Sequence, residues 1–421
     1  MPCRPLLMLA LLCVAACRPS QGPAVAETGG RTRVTFKLQP LGTSPAFREW
    51  IAAFEREHPE VEVDTELLPN ASDVAHQYFL TALEGGSRDF DLLVVDTVWV
   101  HEFARAGWIA DVSEAFPPEG LKRDFLPGPV EAAVMDGRTY AVPWYVDVGM
   151  LYYRKDLVPR APRTYEELRT FTADALKKHP DMVGYMWQGR QYEGLVCNVY
   201  EAIWGHGGGT LQGERMQLDT PQARAGLSYL RDLVRAGLSP PSVTSAAEEE
   251  ARRVFHAGRA VFLRSWPYVW TESEKPGSPI RGKVDFAALP TLDGEPGHGT
   301  LGGWQVALNA HSPPEKRKAA LALMAHLTST RANVMMALGY GRNPPRREAY
   351  ADPELREKLP HLEKLLPIIE RAKPRPATPY YPLLSDVLQS EFSAVVAGIR
   401  SPEDALGRAQ HRADQLTGVE R

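Results

Sequence analysis

From Val34 onward, short β-rich runs alternate with stretches of helical period, and this alternation restricts the fold more than any other feature of the chain. Val34–Leu38 reads as a strand. Phe47, Trp50, Ile51 and Phe54 then fall at i, i+3, i+4 and i+7, the spacing that gathers apolar side chains on one helix face, and the pattern stops near His58 and Pro59. Val61–Leu67 gives a second strand by alternation, and a helix is expected around His76–Glu84. Phe90–Val95 is a continuous apolar run of the kind buried on both faces. This order predicts an α/β architecture with parallel sheets. Asp96 closes the third strand, and open α/β sheets bind ligands in the crevice beyond the carboxyl ends of their strands. The same aspartate would serve equally as the N-cap of a helix starting near Val98.

The chain begins with one arginine, an apolar run from Leu6 to Val14, and then Ala15, Ala16 and Cys17. A run of about ten residues is too short to span a ~30 Å hydrocarbon core but suits a signal-peptide h-region. Val14-Ala15-Ala16-Cys17 resembles the bacterial lipobox, which implies a lipoprotein signal peptide over 1–16 and an acylated Cys17 at the mature N-terminus. An ordinary secretory signal cut after Ala16 or a little later is the alternative. Residues 17–33 are rich in Pro, Gly, Ser and Ala, bury too little surface to offset their ordering entropy, and read as a flexible tether. Cys3 and Cys13 leave with the signal, so Cys197 is the remaining thiol and no disulfide is expected. About 405 residues then remain, enough for two domains. A net charge of −4 with acids and bases interspersed gives no footprint for nucleic acid. There is no second apolar stretch of membrane-spanning length and no internal repeat.

The stretch Tyr140–Arg154 joins a turn signal to an aromatic-rich strand, and its Pro143, Trp144, Tyr145, Asp147 and Leu151-Tyr152-Tyr153-Arg154 resemble the crossover segment of extracellular solute-binding proteins (family 1) of carbohydrate ABC importers. Further blocks agree in order: Gly207-Gly208-Gly209, Ala257-Gly258-Arg259-Ala260-Val261-Phe262, Ser265-Trp266-Pro267-Tyr268, Leu289-Pro290, Gly302-Gly303-Trp304, and Arg375-Pro376 leading into Tyr380-Tyr381-Pro382. Tyr192–Asn198, Gly302–Gln305 and Arg375-Pro376 are most similar to the trehalose- and maltose-binding lipoproteins of that family.

The resemblance implies a periplasmic-binding-protein-like (type II) fold, two α/β lobes joined by a hinge with the ligand cleft between them. The first lobe would comprise 34–142 and 305–343, and the second 146–301 and 346–421, with crossovers near 142–145, 302–305 and 343–346. The implied ligand is a disaccharide, trehalose- or maltose-like, captured by lobe closure and delivered to the transmembrane subunits of an ABC permease. The protein would be a monomer held by Cys17 on the outer face of the cell membrane or the outer membrane, with no cofactor and no metal.

A sugar offers vicinal hydroxyls to carboxylates and guanidinium groups, and C–H faces to aromatic rings. By similarity to the family's motifs, Asp96 and Asp147 are expected as hydroxyl acceptors from facing lobes, Trp266, Tyr268 and Trp304 as stacking platforms, Tyr145 as a further aromatic contact, and Gly303 as an amide donor. Glu248 is either a ligand contact or a solvated acid in a helix's first turn. Arg375, held between two prolines, is either a ligand clamp or a surface charge. Near 42–46 the chain offers only Thr43 and Ser44 where related binders present a polar or acidic residue, and the loop 70–77 lacks an arginine, leaving Ser72 and Gln77 as substitutes.

Enzymatic alternatives rest on fewer residues. Asp96 and Asp147 are the two carboxylates a glycoside hydrolase would use, about 5 to 9.5 Å apart. Gly-Lys-Ser/Thr, Gly-x-Ser-x-Gly and His-Glu-x-x-His motifs are absent, and His206 beside glycines reads as a turn histidine. A sugar binder reporting to a sensor or chemoreceptor would share the same cleft.

Overall fold

The structure, a computed structural model, describes residues 30–39, 44–69, 72–209, 211–212 and 215–418. The expected signal peptide, Cys17, most of the tether and Thr43 lie outside the described residues. The strands of the two large sheets are β1 (Thr32–Leu38), β2 (Val61–Leu67), β3 (Leu92–Asp96), β4 (Ala141–Val148), β5 (Met150–Arg154), β6 (Val183–Met186), β7 (Ala260–Ser265), β8 (Val284–Ala287) and β9 (Leu301–Leu308). The helices that matter below are α1 (Pro45–Glu57), α2 (Ser72–Glu84), α3 (Glu193–Gly205), α4 (Glu248–His256), α5 (Pro314–Leu327), α6 (Thr330–Tyr340) and α7 (Tyr381–Val396).

The first sheet has five strands in the order β2-β1-β3-β9-β4, and the second has four in the order β8-β5-β7-β6. Both are mixed, which corrects the expectation of parallel sheets. The β1/β2, β1/β3 and β6/β7 pairs are parallel, whereas β9 runs antiparallel to β3 and β4, and β5 antiparallel to β7 and β8. The reason is topological: β9 returns from the distant second sheet and inserts between β3 and β4, so no crossover helix sets its direction. The tether also ends earlier than expected, because Thr32 and Arg33 already pair with Val61 and Glu62, and Arg33 Nη2 meets Asp64 Oδ2 at 2.6 Å.

Local patterns explain the elements around the first sheet. Ser44 caps α1 by accepting from the Phe47 amide at 3.2 Å, and Phe47, Ile51 and Phe54 form its buried stripe. β3 is apolar from Leu92 to Val95 because both its faces are covered: Leu92 and Val94 pack with α1 and α5, Leu93 and Val95 with Phe79 and Leu83 of α2. In the second half, α3 is buried from Gly194 to Gly205 and forms the centre on which β5, β7 and α7 pack. His206 caps its end and stacks on Tyr165 with ring centroids 4.6 Å apart, a turn histidine as expected.

β4 runs through the expected crossover at 142–145 and continues to Val148, so the chain changes sheet at Gly149, four residues beyond 145. At this point a buried ion pair stands. Arg264 of β7 is fully buried; its Nε donates to Glu201 Oε2 of α3 at 2.8 Å, its Nη2 to Glu201 Oε1, and its Nη1 to Gln188 at 3.1 Å. Glu201 Oε1 also accepts the Thr300 amide at 2.9 Å, just before β9 begins. A side chain at Gly149 would collide with both Glu201 and Arg264, so only glycine lets the chain pass. Glu201→Ala leaves a buried guanidinium without its counter-charge and is expected to lower the unfolding free energy by about 3–5 kcal/mol, read from the urea midpoint at unchanged slope.

Candidate ligand-binding cleft

The carboxyl end of β3 and the adjoining ends of β4 and β9 face the start of α3, the start of α4 and the end of β7 across a cavity of about 1540 Å³ that opens to solvent. The register between β9 and β4 shifts here: Trp304 pairs with Tyr145 but Gln305 with Pro143, so Trp144 is the extra residue of a bulge. Its indole packs edge-on against Phe36 and Phe47 at 5.8 and 6.2 Å, in the core beneath the site. Gly303 sits at φ +120°, where a β-carbon would strike the Tyr145 carbonyl. The strands can approach there because the residue is glycine.

All nine residues expected at the site line this one cavity: Asp96, Tyr145, Asp147, Glu248, Trp266, Tyr268, Gly303, Trp304 and Arg375. One expectation about their arrangement is overturned. Asp96 and Asp147 do not face one another from separate lobes, since β3 and β4 belong to the same sheet. The opposing wall is Trp266 and Tyr268, just past β7, with Glu248 at the start of α4. Trp266 lies against Gly302, where a β-carbon would sit 3.0 Å from the ring; the Arg264 guanidinium lies 4.3 Å from its centroid, and its Nε1 is 3.4 Å from Glu248 Oε1. Tyr268 Oη donates to Glu249 Oε1 at 3.0 Å. The acidic triplet does form the first turn of α4, and Glu250 accepts the Ala247 amide there at 3.2 Å.

Arg375 is not a surface charge. It is 4% exposed, and its Nη1 donates to Glu193 Oε1 at 2.8 Å while its Nη2 reaches Asp96 Oδ1 at 3.2 Å, Thr97 Oγ1 at 3.3 Å and the Leu301 carbonyl at 3.4 Å. Glu193 is held in turn by Tyr381 at 2.6 Å and by Ser385. Asp96 also accepts the Val98 amide at 3.3 Å, a short-range contact of the kind the capping alternative anticipated, although the next helix starts later, at Val100.

Several cavity residues were not anticipated. Gln39 directly follows β1 and accepts from Tyr145 Oη at 2.7 Å, so the polar group missing from 42–46 stands a few residues earlier. A strand-end reading of β1 would have found it. Arg342, Arg190 and Arg253 supply the guanidinium groups that the loop 70–77 lacks, and nothing local marks Arg342. Ser72 lines the cavity, whereas Gln77 lines an adjoining one of about 750 Å³ and Ser44 is occupied as a helix cap bonded to Tyr340. Burial pushes the Asp147 carboxyl up to about 6, with Arg342 and Asn343 opposing and Asp96 reinforcing the rise. Burial, then Glu193 and Asp386, push Asp73 up to about 6 as well. Among the described residues no group of three or more His, Cys, Asp or Glu is placed to hold a metal ion, and no helix is long and apolar enough to cross a membrane.

Residues 41–334 match the profile of the bacterial extracellular solute-binding proteins. The chain belongs to that family. A protein of Deinococcus radiodurans named as a probable ABC transporter-binding protein is 33% identical over 365 residues, covering 83% of this chain and 86% of its own. A mannitol-binding protein of Pseudomonas aeruginosa is 25% identical, covering 85% and 86%. Among solved structures, maltose-bound T. maritima MalE3 superimposes with a TM-score of 0.85 at 35% identity, covering 91% of this chain and 99% of that one. The fold is that of type II periplasmic binding proteins, and membership of the extracellular solute-binding family places the chain outside the cytoplasm as a substrate-binding protein. In this binding protein Arg375 clamps two carboxylates, so Arg375→Met is expected to cost about 3 kcal/mol of unfolding free energy even without ligand. A urea titration showing no loss would return Arg375 to a purely ligand-facing role.

Proposed function

We propose that this protein captures a neutral disaccharide of the maltose or trehalose type between two closing lobes and hands it to an ABC permease. The observation that carries the reading is the meeting of Trp266, Tyr268 and Trp304 with Asp96 and Asp147 around one cavity, the combination of apolar platforms and charged acceptors that a sugar requires. Seven carboxylates against four guanidinium groups line it, which disfavours anionic ligands and suits a polyhydroxylated neutral one. The likeness to maltose-bound MalE3 across 91% of the chain supports an α-glucoside, and the mannitol-binding relative makes a polyol the second arm of any screen.

In this reading the two sheets are the cores of the lobes, and the joints are Gly149, the entry to β9 at Thr300, and the crossover around Asn343. Ligand favours the shut form because contacts to both walls exist only there. Anchoring through an acylated Cys17 on the outer membrane face belongs to the same proposal.

The test is a thermal-shift screen of the protein lacking residues 1–17 against trehalose, maltose, sucrose, maltotriose, glucose and mannitol. A ligand that binds only the native state raises the melting temperature by mass action. No shift with any of them would remove sugar as the ligand, and release of glucose from maltose on long incubation would point to hydrolysis instead.

Trp266→Ala is expected to weaken binding by about 1–3 kcal/mol in calorimetric titration while the unliganded melt is unchanged. Asp147 is ionised above about pH 6 and protonated below it, and ligand hydroxyls donate strongly only to the ionised form. Affinity is therefore expected to fall between about pH 7.5 and about pH 5, and Asp147→Asn should bind more weakly with a flatter pH profile.

A further inference from the structure

Two of the cleft's arginines are withdrawn from solvent, and they are used in opposite ways. Arg375, its side chain 3% exposed, has both terminal nitrogens engaged by Glu193 and Asp96. The guanidinium of Arg342, a side chain 21% exposed, donates no hydrogen bond to any described residue. Its Nη1 stands 3.9 Å from Asp147 Oδ2, beyond hydrogen-bond reach, and its Nε is sealed from solvent without a partner. The group is nevertheless fixed. Its guanidinium lies 5.0 Å from the Tyr145 ring centroid and 5.6 Å from that of Tyr268, rings from opposite walls of the cavity. The next residue, Asn343, bonds the Val146 amide and carbonyl at 3.0 and 3.1 Å, which holds the segment alongside Asp147.

A positioned, largely buried guanidinium with vacant donors is costly unless something supplies acceptors. Asp147 Oδ2, opposite it, is an acceptor that needs a donor. Two heavy atoms 3.9 Å apart can each lie about 2.8 Å from a single oxygen placed between them. A hydroxyl is the neutral group that can accept from one side and donate to the other. We propose that Arg342 and Asp147 act as a pair that reads one hydroxyl of the ligand, which accepts from Arg342 Nη1 and donates to Asp147 Oδ2. The inference rests on the sugar-binding reading and adds a specificity rule to it: one hydroxyl position on the ligand is obligatory, and deoxygenation or methylation there is not tolerated.

The test uses maltose and its monodeoxy analogues with the mature protein, titrated calorimetrically. Arg342→Gln is expected to weaken maltose binding roughly 10- to 100-fold, and Arg342→Lys, which keeps the charge but loses the planar fork, to weaken it less. Thermal melts without sugar should match wild type and show both variants folded. If Arg342→Gln does not fold, Arg342→Lys carries the same comparison. One monodeoxy maltose should bind wild type as weakly as Arg342→Gln binds maltose, and Arg342→Gln should barely distinguish that analogue from maltose. The loss in Arg342→Gln/Asp147→Asn should be no greater than in the worse single variant, as expected for two groups that share one partner. Unchanged affinity in Arg342→Gln, or losses that simply add, would overturn the pair while leaving sugar binding intact. Failure of the wild type with maltose and every other sugar would instead overturn the sugar reading, and the pair with it.

Discussion

The buried pair of Arg264 and Glu201 is the interaction on which the second half of the molecule depends. A guanidinium fully withdrawn from water is tolerable only if its donors are met, and here they are met by a carboxylate on the central helix and the side chain of Gln188. The same carboxylate receives the Thr300 amide, so one charge fixes a strand of the second sheet, the helix beneath it and the approach to β9. Gly149 is required at the sheet change because the pair fills the space a β-carbon would need. The pair also reaches the cleft, since Arg264 lies beneath the Trp266 ring and Trp266 is the main aromatic of the opposing wall.

The cleft divides its polar groups into those the fold satisfies and those it leaves open. Arg375 and Glu193 hold each other and join Asp96, Tyr381 and Ser385 into one network. Tyr145 is tied to Gln39. These contacts hold the walls in place, whereas Arg342 and Asp147 stand close without a hydrogen bond between them. The structure is thus rigid around its ligand-facing groups without using up their bonding capacity, which is the condition for a preorganised site.

Legibility in the sequence followed the origin of each pattern. α1 and β3 were readable because their own burial sets their pattern, and Val61–Leu67 coincides with the observed strand although only Val61 in it is buried. The nine site residues were found through their resemblance to a family's ordered motifs, and the structure gathers them at one cavity. What failed was anything set by long-range topology. The antiparallel insertion of β9 put Asp96 and Asp147 on one sheet, and no local signal announces it. Ser44, one of the two hydroxyl residues the sequence offered near 42–46, caps α1. Arg342 has no motif of its own; its importance appears only once Tyr145, Tyr268 and Asp147, all distant in sequence, surround it.

Gly302 and Gly303 give the cleft two unequal walls in evolutionary terms. On the β9 side the backbone itself is the surface: one glycine is pressed by the Trp266 ring and the other holds a backbone shape closed to other residues, so this floor has almost no freedom to change its chemistry. The side chains at the start of α4 lie partly or fully exposed and can be exchanged with little effect on the core. A change of ligand preference is therefore more easily made at the α4 rim than on the β9 floor, where a side chain at either glycine would meet the Trp266 ring or the Tyr145 backbone.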